Sequence, residues 1–121
     1  MVSYQESMGS DKDAGALVQG TVDMMILARL ARGPEHGFGI AEHVKRASEE
    51  VLRVGEGSLY PALQRLEMQG LITSAWGASA NGRRARFYSL TPRGRKQLPE
   101  RVTRWRQLAA AIERVIDGGT P

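Results

Sequence analysis

Hydrogen-bonding side chains with helical spacing stand out in the segment between Glu56 and Ile72. Hydroxyl, amide and guanidinium groups share one side of a predicted helix there, and the candidate contact residues on that side are Ser58, Tyr60, Pro61, Gln64 and Arg65. Groups of these types can read the edges of base pairs in the major groove of duplex DNA. The alternative is an ordinary amphipathic helix with a solvated face, and this segment alone favours neither.

The same segment predicts the helix that carries these groups. Ser58 is a suitable N-cap, and Pro61 then falls in the first turn of the helix, where a missing backbone N–H costs nothing. Apolar residues recur at intervals of three and four and form one stripe, which consists of Leu59, Ala62, Leu63 and Leu66. Gly70 can adopt the left-handed conformation that ends helices.

A basic hairpin is predicted directly after this helix. Residues 71–76 and 84–90 have the composition of strands, and Asn81-Gly82 between them is a strong turn signal. Three arginines lie at the predicted tip and on the returning strand, namely Arg83, Arg84 and Arg86. Arginines so placed suit a wing that follows phosphates or enters a minor groove. The alternative is a solvated, disordered basic loop.

These motifs together resemble the PadR family of bacterial transcriptional regulators. The matching segments are residues 18–23, 36–40, 57–63, 65–67, 70–72, Trp76, 83–88 and 90–95. The resemblance covers roughly residues 17–116. It implies a mainly α fold with a small antiparallel β-hairpin, in which a winged helix-turn-helix is followed by a C-terminal dimerisation helix. The expected division is a disordered tail at 1–15, a DNA-binding winged helix at 16–90 and the dimerisation helix at 91–118.

Two further helices complete the predicted winged helix. The first spans about residues 17–31, and the second spans residues 37–47 and is expected to bury Phe38. His36, directly before the second helix, is expected to have a capping or packing role. The last helix is predicted to begin with Thr91 as N-cap and Pro92 at its first position.

The last helix also predicts a dimer. Its apolar residues recur at alternating spacings of four and three, as in a heptad seam, and the middle of the first helix is apolar on almost every side. We therefore expect these two helices to pack together across two chains, through Met24, Met25, Leu27, Leu98, Val102, Trp105, Ala109, Ile112 and Ile116. The alternative is packing within one chain. By the resemblance, Trp105 lies near the dimer centre and is a candidate contact for a small hydrophobic or aromatic effector, or else an interface anchor.

Composition supports a nucleic-acid partner and argues against catalysis. The 121 residues have a formal net charge of +4. The segment from Leu71 to Arg106 contains nine lysines and arginines but only one acidic residue, and such an excess of basic residues favours a nucleic-acid partner. The two histidines have poor spacing for a metal, cysteine is absent, and no nucleophile–base pair or phosphate-binding glycine loop is present. We expect no enzyme activity, cofactor, metal or membrane span, and a cytoplasmic location. The predicted function is a dimeric repressor that binds a pseudo-palindromic DNA operator, and the alternative is a winged helix used for protein–protein contact.

Overall fold

The computed structural model describes residues 11–118, with side chains described from Gly20 onward. This part of the chain forms, in order, α1 (Asp11–Leu30), β1 (Glu35–His36), α2 (Gly37–Ala47), α3 (Glu56–Met68), β2 (Ile72–Ala78), β3 (Arg84–Leu90) and α4 (Pro92–Ile116). Three helices followed by a hairpin and a long C-terminal helix confirm the predicted winged helix-turn-helix. The second helix and the returning strand of the hairpin have the predicted bounds.

Helix α1 begins earlier than the sequence predicted. Residues 11–15 were expected to belong to a disordered tail, but they are helical and extend α1 to Asp11. The other residues of the predicted tail, 1–10, lie outside the described part of the chain.

The sheet has three strands rather than the two that the sequence predicted, in the order β1-β3-β2. The hairpin pairs β2 and β3 antiparallel, from Ile72 opposite Leu90 to Ala78 opposite Arg84. The additional strand, β1, pairs with the outer edge of β3 through two residues only. This short strand fixes the chain between α1 and α2 against the hairpin, so the wing is attached to the helical part at two places.

Helix α2 is capped by the histidine that precedes it. His36 Nδ1 accepts a hydrogen bond from the backbone N–H of Gly39 at 3.0 Å, which confirms a capping role. Phe38, in contrast, is 69% exposed and not buried as predicted. The phase of the helix explains this difference, because Ile40 and Val44 face the core and a residue two positions before Ile40 points away from it.

One hydrophobic core joins α1, α2, α3 and the base of the hairpin. The largest fully buried side chains are Ile26, Leu27, Leu30, Ile40, Leu63, Leu66, Leu71 and Ile72. The prediction that Leu27 contacts a second chain is wrong in this structure, because Leu27 is 0% exposed within its own chain. The apolar middle of α1 is therefore largely explained by the core of its own chain.

The start of α4 is tied closely to the end of α3. Thr91 is the N-cap, as predicted, and its hydroxyl accepts from Gly94 N at 3.0 Å while donating to Gly70 O at 2.7 Å. Gly94 is buried, and a Cβ atom added there would collide with the backbone carbonyl oxygen of Leu71. The helix continues past Pro99 to Ile116.

Candidate nucleic-acid interface

Helix α3 begins three residues earlier than predicted, which changes the role of Ser58. Gly55 is the N-cap, and its carbonyl accepts from the backbone N–H groups of Ser58 at 3.1 Å and Leu59 at 2.9 Å. Ser58 is therefore the third residue of the helix and not its cap. Pro61 lies in the second turn, whereas the sequence predicted the first. Glu56 occupies the first turn, where a negative charge is favoured by the helix dipole. The Ser58 side chain is exposed.

The two faces of α3 divide as the sequence predicted. The apolar stripe Leu59, Ala62, Leu63 and Leu66 is buried, and Tyr60, Pro61 and Gln64 are exposed together with Ser58. The Tyr60 side chain covers Gly37 at the start of α2, since a Cβ atom on Gly37 would come within 2.7 Å of the Tyr60 hydroxyl. An exposed patch of polar side chains thus lies at the N-terminal half of α3, beside the N-terminus of α2.

The C-terminal end of α3 directs the chain into the wing. Gly70 has a φ of +76°, the left-handed conformation predicted for it. Its N–H donates to Glu67 O and the N–H of Leu71 donates to Leu66 O, each at 3.0 Å, which is the Schellman pattern of a helix end. The strand β2 follows within two residues, so the hairpin leaves directly from the end of the candidate recognition helix.

Arg65 differs from the other polar residues of α3, because it is partly buried and ion-paired. Its Nη2 lies 2.7 Å from Oδ1 of Asp23, and the two side chains are 31% and 9% exposed. Burial raises the pKa of the Asp23 carboxyl, and the hydrogen bond and charge of Arg65 act in the opposite direction. The pair joins α1 to α3. Asp23 was not among the predicted site residues, although a lone acid within an apolar helical stretch was a usable signal.

The three predicted wing arginines are all exposed, but two of them are ordered by neighbours. The Cζ atom of Arg84 lies over the Trp76 ring at 4.6 Å from its centroid, and that of Arg86 lies at 5.7 Å. Both distances are within the range of a cation–π interaction. Trp76 is itself 57% exposed. From the sequence, Trp76 is a residue of the family motif with no predicted role in the site.

Arg86 is also connected to the end of α3. Its Nε donates to Ser74 Oγ at 2.9 Å, and its Nη2 lies 3.7 Å from Glu67 Oε2. Ser74 Oγ in turn donates to Glu67 Oε2 at 2.7 Å. These contacts fix the position of the hairpin relative to α3, and they place a carboxylate next to one of the three wing arginines.

A second surface is formed by the outer side of α4 and the neighbouring part of α1. Large apolar side chains are exposed along α4, namely Trp105, Leu108, Ile112, Val115 and Ile116. Leu98, Val102 and Ala109 of the predicted seam are half-buried, and Leu98 and Met25 pack against the core of the same chain. A cleft of about 370 Å³ lies between α1 and α4, and its lining includes Met24, Trp105, Arg101 and Arg104.

Neither a metal site nor a membrane span is found among the described residues. Within residues 20–118, whose side chains the structure describes, no three acidic, histidine or cysteine side chains come together as metal ligands would. None of the described helices combines the length and the apolar character needed to cross a membrane.

Comparison with known proteins identifies the family. The family model described as transcriptional regulator PadR-like matches residues 26–100, from the C-terminal end of α1 to the first turns of α4. The chain belongs to the PadR-like family of transcriptional regulators. This assignment confirms the sequence-based resemblance and the expectation that the protein is a regulator and not an enzyme.

Individual transcriptional regulators are similar to this chain over most of their own length. The transcriptional regulator Rv3488 of Mycobacterium tuberculosis is 35% identical over 91 residues, which cover 75% of this chain and 81% of the relative. The structure is similar to that of a transcriptional regulator from Clostridium thermocellum, with a TM-score of 0.73 and 29% identity over 82% of this chain and 96% of the other. A PadR family regulator from Clostridium difficile has a TM-score of 0.65 and 29% identity, covering 78% and 97% of the two chains.

Proposed function

We propose that this PadR-like protein is a dimeric repressor that binds a pseudo-palindromic DNA operator. The observation that carries the proposal is the exposed polar N-terminal face of α3 beside a hairpin with three exposed arginines. In this arrangement α3 would enter the major groove, where Ser58, Tyr60 and Gln64 would meet base edges and Pro61 would pack alongside. Repression is the mode that the family resemblance implies.

The basic hairpin supports contacts with the phosphate backbone or an adjacent minor groove. Arg83, Arg84 and Arg86 are assigned to this role, since arginine side chains bind phosphate oxygens and enter narrow minor grooves. Arg65 is assigned to the edge of the interface, where its ion pair with Asp23 limits its reach. A gel shift with DNA from upstream of the gene against unrelated DNA tests the proposal. If the protein retards neither DNA, or retards both equally at every concentration, the result would favour a protein–protein contact module without specific DNA readout.

Exposed apolar surface supports the homodimer. A monomer would leave the outer side of α4 in water from Trp105 to Ile116, and contiguous apolar patches of this kind mark contact surfaces. Two protomers that pair through α4, with Met24 and Trp105 at the centre of the interface, form a dimer with two-fold symmetry. This symmetry matches the two half-sites of a palindrome. The residues assigned to the interface are Met24, Met25, Leu98, Val102, Trp105, Ala109, Ile112 and Ile116.

The cleft beside Trp105 supports a small hydrophobic or aromatic effector as a further partner. Its volume of about 370 Å³ falls within the range of small-molecule sites, and its lining combines apolar side chains with Arg101 and Arg104. Titration of Trp105 fluorescence with aromatic ligands, in a protein in which Trp76 is phenylalanine, tests this assignment. Unchanged emission at saturating ligand concentrations would count against it.

Loss of a base-reading side chain on α3 is expected to reduce specific binding more than non-specific binding. Each good base contact contributes on the order of 1–3 kcal/mol of discrimination, so Tyr60→Ala and Gln64→Ala should each weaken operator binding by roughly 5- to 150-fold for each half-site that the dimer contacts. Binding to unrelated DNA should change little. Gln69→Ala is the matched control, because Gln69 is an exposed glutamine at the opposite end of the same helix. Equal losses on both DNAs would remove Tyr60 and Gln64 from direct readout.

Removal of the largest apolar side chain on the outer side of α4 is expected to weaken the dimer. Trp105 is 43% exposed in the single chain, and truncation of a tryptophan at an interface centre commonly costs about 2 kcal/mol or more, a roughly 30-fold increase in the dimer dissociation constant. Sedimentation equilibrium of Trp105→Ala measures this, with Gln107→Ala as an exposed control on the same helix. A wild-type protein that stays monomeric at micromolar concentration and still binds its operator would refute the dimer.

A further inference from the structure

We propose that Trp76 is a positioning residue for DNA binding, which holds the Arg84 guanidinium in place on the wing before DNA is bound. The assignment rests on the proposed function, because it concerns how a DNA-contacting arginine is ordered. This role would explain why a large aromatic residue, Trp76, lies in the wing outside the hydrophobic core.

The register of the hairpin brings the three side chains onto one face. Trp76 pairs directly with Arg86, and Arg84 pairs with Ala78, two residues further along β2. Directly paired residues of antiparallel strands project to the same face, and diagonal neighbours are within reach of aromatic and long side chains. Trp76 therefore has Arg86 opposite and Arg84 on the diagonal. The diagonal neighbour is the closer of the two, with its Cζ 4.6 Å from the ring centroid against 5.7 Å.

The burial of the hairpin shows that Trp76 does not serve mainly as a core residue. The core-facing part of the hairpin is its base, where Ile72 and Tyr88 are 2% and 7% exposed. Trp76 lies nearer the tip and leaves more than half of its surface in water. The ring is not among the side chains packed against the core, and two guanidinium groups lie over it.

The contacts of Arg86 extend this arrangement back to the recognition helix. Glu67 at the end of α3 accepts from Ser74 and lies beside Arg86, and Arg86 in turn lies beside the Trp76 ring. A continuous set of contacts thus runs from α3 across the sheet to Arg84. Of the two arginines at the ring, Arg86 has its charge partly offset by Glu67, whereas Arg84 is exposed on the side toward the tip. Arg84 is accordingly the one that the ring presents to DNA.

Ordering of Arg84 in the free protein affects affinity through entropy. Immobilising a long side chain on binding opposes association, and an arginine already held over a ring loses less freedom when it meets a phosphate. A guanidinium bound through its face also retains its in-plane N–H donors. We therefore expect Trp76→Ala to weaken DNA binding by about three- to tenfold. The slope of log affinity against log salt should stay unchanged, because every positive charge remains.

A double-mutant cycle separates positioning from direct contact between Trp76 and DNA. In the Arg84→Ala background, most of the effect of Trp76→Ala on affinity should disappear, since the side chain that the ring orders is absent. Arg83→Ala is the matched control, because it removes the neighbouring charge at the tip, and there Trp76→Ala should keep its full effect. Trp76→Leu retains apolar bulk without a π face and should behave like Trp76→Ala. An undiminished effect in the Arg84→Ala background would overturn the assignment.

A measurement without DNA distinguishes failure of this assignment from failure of the proposed function. In the NMR spectrum of the free full-length protein, the Arg84 side-chain protons should show upfield ring-current shifts that are lost in Trp76→Leu. Absence of these shifts in the wild type would refute the positioning role even if the protein binds its operator. Failure of the wild type to bind any duplex, with the shifts present, would instead refute the proposed function and remove the DNA-related role of Trp76 with it.

Discussion

Simultaneous replacement of Arg83, Arg84 and Arg86 with alanine is expected to reduce DNA affinity on the order of 10³-fold or more at physiological salt. Two to three phosphate contacts in each protomer give about four to six in a dimer, and each contributes about 0.9 to the slope of log affinity against log salt. The slope should therefore flatten by about four to five. Binding isotherms at several salt concentrations, on operator and unrelated DNA, measure both quantities.

The control for the triple wing variant is a second variant that also loses three arginines, but from α4 instead of the hairpin. Arg95, Arg106 and Arg114 are three exposed arginines of α4, away from the hairpin tip. Their replacement with alanine should leave the salt dependence close to that of the wild type, once sedimentation shows that the variant assembles normally. A wing variant with the wild-type salt slope would show that the hairpin does not touch the backbone of DNA.

The second large effect is expected in stability, from the single change Gly94→Ala. A Cβ atom there would overlap the Leu71 carbonyl oxygen and come within 2.8 Å of a Leu90 methyl carbon. The first of these atoms belongs to the backbone, so the start of α4 would have to move away from the end of α3. Overpacking of this kind costs typically 1–3 kcal/mol and occasionally more, and we expect about 3 kcal/mol or more here because backbone must shift. Urea unfolding measures the loss.

Gly57→Ala is the matched control for this substitution. Gly57 lies within α3, and a Cβ atom there would meet nothing within 4 Å. Alanine is favoured over glycine inside a helix by roughly 0.5–1 kcal/mol, so this variant should be as stable as the wild type or slightly more stable. A Gly94→Ala protein with wild-type stability would show that the α3–α4 junction accommodates a methyl group without strain.

Features that depend on local patterns were predicted well from the sequence. Four such features depend only on residues close together in the sequence. They are the apolar stripe of α3, the glycine that ends α3, the Thr91 cap of α4 and the strand 84–90. The cap of α3 is the exception. A side-chain cap at Ser58 was expected, but the helix starts from the extended backbone of Gly55 instead, and a glycine start has a weak sequence signal.

Features that depend on distant residues were not predicted. Strand β1 has two residues and no periodicity of its own, and it exists because the edge of β3 is available for pairing. The ion pair of Asp23 with Arg65 joins residues 42 positions apart, so the local pattern marks Asp23 as an isolated acid but does not reveal its partner. The same limit explains Leu27, whose burial in its own core depends on how α1 lies against the other helices. The Trp76–Arg84 contact likewise depends on the hairpin register.

The position of α1 has a consequence for the spacer between operator half-sites. One part of α1 holds α3 through the Asp23–Arg65 pair, and another part borders α4 at the cleft. In the proposed dimer the two recognition helices are thus separated by packed helices and not by a flexible linker. One inserted base pair moves a half-site about 3.4 Å along the duplex and turns it by about a tenth of a revolution. Packed helices would follow such a displacement poorly, so in the proposed dimer we expect operator affinity to depend on spacer length.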